Sequence, residues 1–264
     1  MKLAAMEGLY KGESGAGLTA IALLNPAKKT PQDGVEPYLF EIKIPYMLSL
    51  LADRDINSFV PGINDLLDGG YQLKDGTTAL SVEEKIAKGK QAIAAFAAYR
   101  QARSEGNDDE AKVQAGIMRE NMPYFGYGHI KEVNDVVPPV ALTFYMFRIM
   151  VMLGGYFILF FMLVLYLVYK KDITKMKWIH WVAILTIPLG YLASQAGWAV
   201  AEVGRQPWVI QDMMPTNVAI SQVSVGSVQL TFFIFLTLFS ILLIAEIGIM
   251  LKAIKKGPEF NNEQ

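Results

Sequence analysis

Cysteine is absent and histidine occurs only 2 times in 264 residues. The first absence excludes disulfides, thiolate catalysis and Cys-ligated zinc or iron–sulfur centres, and leaves the compartment undecided. Net charge is nearly absent too. Lys and Arg number 24 against 25 Asp and Glu, giving −1 at pH 7. No basic cluster resembles a nucleic-acid footprint, so nucleic acid is not an expected partner. There is no Walker loop, dinucleotide fingerprint, internal repeat or low-complexity tract.

What the chain does have is apolar surface, with 53% hydrophobic residues beside 19% charged ones. Such a mixture implies that charge and apolar runs are segregated along the chain. Charged residues concentrate in residues 1 to 135, and uncharged runs dominate after Pro138. Three of these exceed the roughly 20 apolar residues that span a bilayer. They are Ile149 to Tyr169 (extending back to Pro138), Trp178 to Ala201, and Met213 to Ala245, continuing past Glu246 to Leu251. The expected fold class is an α-helical membrane protein, with three C-terminal transmembrane helices after a loop-rich, mostly helical extramembrane region.

Short basic loops set the orientation. Lys170, Lys171, Lys175 and Lys177 separate the first two spans, and Lys252, Lys255 and Lys256 follow the third, so both clusters are expected in the cytoplasm. The expected organisation is an extracytoplasmic region over 1–135, helices over 138–170, 177–205 and 223–252, and a cytoplasmic tail over 253–264. Met1-Lys2-Leu3-Ala4-Ala5 opens no signal peptide with an apolar core. A region of that size is awkward to translocate ahead of its first helix, so the sequence reads as if something upstream is missing.

Within residues 1 to 135, turn signals recur at Asn25-Pro26, Asp33-Gly34, Pro61-Gly62, Asp68-Gly69-Gly70 and Asp75-Gly76. Ser81-Val82-Glu83-Glu84 has the capping-box pattern, and the apolar spacing behind it predicts a helix over about 81 to 104. A second helix is expected from Asp108 to about 120. Tyr38 to Ile44 reads as a short strand ending at Pro45.

Charge at membrane depth costs about 2.5–3.5 kcal/mol at a helix centre, so Arg148, Glu202 and Glu246 each need a reason. Trp198, Glu202 and Arg205 fall at i, i+4 and i+7, on one helix face if the helix persists to its end near Arg205. Spacing alone allows either an ion pair anchoring a helix end or a carboxylate that binds metal or carries protons. Arg148 and Met150 lie about 200° apart around their helix and so serve different neighbours. Met150 shares a stripe with Gly154, and it is either core filler or a thioether ligand beside room for a flat macrocycle. His129 and His180 have no ligand-like spacing, and Glu246 lies where it could snorkel or pair with a lysine.

Four blocks, in order, carry a resemblance. They are Lys2-Leu3-Ala4-Ala5-Met6-Glu7, Glu41-Ile42-Lys43-Ile44-Pro45-Tyr46, Phe147-Arg148-Ile149-Met150, and Gly197 to Trp208, which reads GWAVAEVGRQPW. Together they resemble the C-terminal half of subunit I of cytochrome bd-type quinol oxidases, from its quinol-binding loop onward. The resemblance implies a bacterial or archaeal cytoplasmic-membrane, multi-pass respiratory enzyme. Such an enzyme oxidises quinol on the outer face, passes electrons through a low-spin haem b and reduces oxygen to water at a di-haem site. By the same resemblance Met150 is an axial ligand of the low-spin haem, and Arg148 lies beside that haem and the quinol site. Glu202 is the carboxylate ligand within the high-spin pair (haem b with haem d, or b-type only), with Trp198 and Arg205 as its neighbours. Lys2 and Glu7 match loop residues of quinol oxidation, Glu7 as proton acceptor.

The family's subunit I also has an N-terminal bundle that supplies histidine ligands, and neither His129 nor His180 matches them. Activity would therefore require an N-terminal half of subunit I, subunit II and small subunits, within membrane lipid. The alternative is a non-catalytic fragment or assembly protein that keeps the motifs without a complete haem site.

Overall fold

The computed structural model describes residues 1–170 and 173–257; Lys171 and the end of the expected tail, 258–264, lie outside the described residues. The chain divides between residues 219 and 220 into two units. The first opens with α1 (Lys2–Glu7), which Gly8 closes at φ 62, a left-handed conformation that glycine adopts without a Cβ clash.

Small sheets and short helices follow: β1 (Glu13–Ser14), β2 (Leu18–Leu24), β3 (Tyr38–Ile44), α2 (Met47–Asp53), β4 (Phe59–Val60) and α3 (Ile63–Asp68). β1 pairs with β4, and β2 with β3, both antiparallel. Alternation marks β3 in the sequence. β2 carries no such signal, because its alanines and leucines favour helix and only the hairpin makes it a strand. Its register slips between Thr19 and Ile21, so Ala20 is an extra residue and the local ladder is broken.

The long helix α4 (Val82–Glu105) starts at the capping box. Ser81 Oγ accepts the Glu84 amide at 3.1 Å, and Glu84 Oε2 accepts the Ser81 amide at 2.8 Å. α5 (Asp108–Asn121) begins at the expected Asp108 and is capped by Asn107, whose Oδ1 accepts the Glu110 amide at 3.3 Å. Two 3-10 segments, Met122–His129 and Val133–Val136, lead to the membrane helices. Val82, Ile86, Ile63, Leu67, Tyr127, Ile130 and Val136 form one core with Ala4 of α1. α4 meets the first 3-10 segment backbone to backbone. A Cβ on Gly89 would lie 2.3 Å from the Gly128 nitrogen and 2.4 Å from the Tyr124 oxygen.

α6 (Val140–Lys170) and α7 (Lys177–Val203) pack as an antiparallel pair. Leu167 clusters with Ile179, Tyr156 and Thr186 share a hydroxyl hydrogen bond of 2.6 Å, and Met150 lies against Gly197. Much of the remaining surface of both helices is exposed apolar side chains such as Ile158, Leu159, Trp181 and Leu185. After α7 the chain turns into the hairpin β5 (Trp208–Ile210) and β6 (Met214–Pro215). The second unit holds α8 (Val225–Lys256), entered at Ser224 and left at Gly257.

At 1.5 Å per residue, α6, α7 and α8 measure about 46, 40 and 48 Å, more than the ~30 Å hydrocarbon core of a bilayer. All three are long and apolar enough to cross a membrane, and the protein is an α-helical membrane protein.

Gly89→Ala should force α4 off the 3-10 segment. The expected loss is about 1–3 kcal/mol, the usual cost of overpacking a filled contact. A lowered thermal midpoint in detergent checks it, with Gly116→Ala, where an added Cβ meets nothing within 4 Å, as a control whose midpoint should hold or rise.

Candidate functional site

Arg148 lies in the third turn of α6 and its side chain is buried, 9% exposed, beside Glu7 at 2%. A buried guanidinium needs its donors satisfied, and the residues around it do this for four contacts. Nη1 donates to the Met6 carbonyl at 2.7 Å and the Phe144 carbonyl at 3.2 Å. Nη2 donates to the Thr19 carbonyl at 3.0 Å and to Glu7 Oε2 at 3.4 Å. Its Cζ lies 3.4 Å from the ring centroid of Phe144, a cation–π contact on a fully buried ring. Only Nε is without a partner.

The β-bulge explains why Thr19 reaches both charges. With the ladder broken at Ala20, the Thr19 amide is available to donate to Glu7 Oε2 at 3.1 Å while its carbonyl accepts from Arg148. Tyr38 completes the enclosure from β3. Its hydroxyl lies 2.7 Å from the Glu7 carbonyl oxygen and 2.8 Å from that of Gly8. Three segments distant in sequence thus converge on Glu7, two on its carboxylate and one on its backbone.

α1 also reaches α7. Lys2 Nζ donates to the Ala201 carbonyl at 3.5 Å, and a Cβ on Gly204 would meet Lys2 Cγ at 3.3 Å and Thr143 Cγ2 at 3.2 Å. The three sequence-selected residues Lys2, Glu7 and Arg148 are therefore gathered around one short helix wedged between α6 and the end of α7.

Glu202 and Arg205 form an ion pair of 2.5 Å at that end of α7, with side chains 47% and 42% exposed. Trp198, one turn back, is also exposed, at 63%. Arg205 holds Oε1 of Glu202, which leaves Oε2 without a hydrogen bond among the described contacts. Met150 points the other way from Arg148, and its sulfur lies 3.1 Å from where a Cβ of Gly197 would be. Gly197 precedes Glu202 by five residues, about 7.5 Å along the helix axis. Met150 and Glu202 therefore occupy neighbouring depths of the α6–α7 pair.

One thioether and one carboxylate fit haem iron as single donors, each needing complementary ligands from elsewhere. Space supports this: a Cβ on Gly154, a turn beyond Met150, would meet nothing within 4 Å. No cluster of three His, Cys, Asp or Glu occurs among the described residues. The histidines stay outside this geometry. His129 packs edge-on to Phe125 at 5.6 Å in the extramembrane region, and His180 Nδ1 lies 3.0 Å from the Met176 carbonyl.

The motif Gly197 to Trp208 divides in function. Trp208 is buried in the core and meets Tyr127 edge to face at 4.9 Å. Asp212 fixes the hairpin that follows, accepting from the Tyr127 hydroxyl at 2.7 Å and, through its carbonyl, from the Gly126 amide at 3.1 Å. Thr19, Tyr38 and Asp212 carry no sequence signal of their own, because each acts through contacts remote in the chain.

Burial pushes the Glu7 carboxyl above its ordinary 4.5, against the pull of Arg148 and the Thr19 amide. The folded chain then keeps the Glu7 proton to higher pH than the unfolded chain does. Stability should fall as pH rises from about 4.5 through the raised value, by at most about 1.4 kcal/mol per pH unit. Thermal melts in detergent should show this slope, and Glu7→Gln should flatten it. Arg148→Gln should extend the fall to higher pH and destabilise the chain by about 3–5 kcal/mol, the effect of orphaning a buried charge.

The chain matches the family described as "Cytochrome bd terminal oxidase subunit I" over residues 1–258. It is 29% identical over 259 residues to cytochrome bd-II ubiquinol oxidase subunit 1 of Escherichia coli (strain K12), covering 98% of this chain and 49% of that protein. It is likewise 29% identical over 265 residues to cytochrome bd ubiquinol oxidase subunit 1 of Bacillus subtilis (strain 168), covering 99% of this chain and 43% of that one. A putative cytochrome bd menaquinol oxidase subunit I of the same Bacillus strain is 28% identical over 128 residues, 47% of this chain and 28% of the relative. The chain spans about half the length of the first two curated relatives. With the family matched over nearly its whole length, this chain belongs to the cytochrome bd terminal oxidase subunit I family.

Proposed function

We propose that this chain is the C-terminal half of subunit I of a respiratory terminal oxidase, which oxidises quinol at the outer membrane face and reduces oxygen to water at a di-haem site. The observation that carries the reading is the buried Glu7–Arg148 pair, which ties the start of the quinol-loop region to α6 two residues before Met150. Residues 1–135 then lie outside the cytoplasmic membrane, and the catalytic complex includes an N-terminal half of subunit I, subunit II and small subunits.

Quinol oxidation must dispose of two protons. An ionised Glu7 accepts one from a quinol hydroxyl while the other leaves to water at the outer face, and Arg148 lowers the cost of keeping that buried carboxylate charged. The Thr19 amide and Arg148 both hold Oε2, which leaves Oε1 to take the proton. Lys2 supplies a second cation on the same short helix, where it orients a quinol oxygen. Met150 would hold the low-spin haem b, and Glu202 a member of the high-spin pair, a b-type haem with haem d or with another b-type haem. Bound haems supply one-electron transfer and oxygen reduction. Arg205 fixes one oxygen of Glu202 so that the other is presented in a single direction, and Trp198 flanks it on the same face. Histidines of the N-terminal half would complete the low-spin site and the di-haem site.

A second reading, a non-catalytic assembly protein, is favoured by one observation: His129 and His180 both sit away from Met150 and Glu202. Spectra of the complex purified through this chain separate the two. Glu202→Ala should disturb the high-spin bands of the reduced-minus-oxidised spectrum and spare the low-spin band. Met150→Leu should do the reverse. Unchanged spectra in both variants would remove these residues as ligands and favour the assembly reading.

A further inference from the structure

Tyr38 occupies a position that the proposed chemistry does not use. Its hydroxyl lies within hydrogen-bond distance of the carbonyl oxygens of Glu7 and Gly8, the last turn and cap of α1. Its ring packs 6.2 Å from that of Phe144, the residue on which the Arg148 guanidinium rests. Tyr38 also lines a cavity of about 1000 Å³ together with Tyr10, Lys28 and Lys43. Burial raises the tyrosine's pKa far above the working range, so the hydroxyl remains a donor throughout.

The contacts of Glu7 divide into two sets. Thr19 and Arg148 hold its carboxylate, while Tyr38 holds its backbone. α1 is only six residues long, too short to be rigid by itself, and its C-terminal carbonyls have no continuing helix to satisfy them. A donor from β3 at that end fixes the direction in which the Glu7 side chain leaves the backbone. Gly8 has no room to shift: a Cβ there would lie 2.9 Å from the Tyr38 oxygen and 3.1 Å from the Phe144 ring.

We propose that Tyr38 is a positioning residue for Glu7, holding the end of α1 so that the carboxylate meets both the Thr19 amide and the Arg148 guanidinium. The inference rests on the reading of Glu7 as proton acceptor for quinol. The groups facing Glu7 are Arg148 from α6, Thr19 from β2, and Tyr38 and Lys43 from β3, with the Lys43 Nζ 5.9 Å from the Tyr38 ring centroid and paired to Glu41 at 3.4 Å. Without the Tyr38 hydroxyl the carboxylate is held less well in its charged form, and its proton is released at higher pH.

The test uses the membrane-assembled oxidase containing Tyr38→Phe, which keeps the ring and removes only the hydroxyl. Turnover with quinol should fall roughly three- to tenfold, the effect of losing one hydrogen bond. The acidic limb of the pH–rate profile should move to higher pH, and the infrared carboxyl band of Glu7, assigned with Glu7→Gln, should shift. The absorption spectrum should not change. Tyr145→Phe is the matched control, since its hydroxyl accepts the Leu24 amide at 3.1 Å on the same hairpin without touching Glu7. A parental limb and band in Tyr38→Phe would overturn the inference. So would equal shifts in both variants, or failure of Tyr38→Phe alone to assemble, because each assigns Tyr38 to folding. Full quinol turnover in Glu7→Gln would instead refute the reading of Glu7 itself.

Discussion

A buried carboxylate and a buried guanidinium, 141 residues apart in sequence, tie together distant segments of the first unit of this protein. Neither charge is tolerable alone at that depth, since an unpaired buried ion costs several kcal/mol. Their pairing seats α1 on α6, and α1 then reaches the end of α7 through Lys2. The β2–β3 hairpin is held by the same pair, because the bulge at Ala20 turns both backbone groups of Thr19 toward it. The arrangement links an extramembrane region to α6 through the ion pair and to α7 through the Lys2 hydrogen bond.

The consequence for the proposed chemistry is proximity without mixing. Arg148 faces the loop side of α6, while Met150 faces α7 across the missing side chain of Gly197. Glu202 and Arg205 lie farther along α7 with half-exposed side chains.

The membrane helices were legible in the sequence because their signal is local: long uncharged runs bounded by lysines. The helix behind Ser81 was legible for the same reason, since its capping box is written within four residues. The candidate residues Lys2, Glu7, Arg148, Met150, Trp198, Glu202 and Arg205 came from motif blocks whose spacing allows several roles. Their convergence was not legible. The Glu7–Arg148 contact needs a fold to bring α1 to α6, and the register slip in β2 depends on its partner strand. Trp208 shows the opposite limit. It belongs to the most distinctive motif, yet it packs on Tyr127 in the core of the extramembrane region.

The central claim is that this chain is the half of an oxidase that brings Met150 and Glu202 to two haem sites. Purification from native membranes through a tag on this chain, with a reduced-minus-oxidised spectrum of the product, tests it most directly. The account predicts a co-purifying N-terminal half and both low-spin and high-spin haem bands. A colourless product without that partner would contradict it.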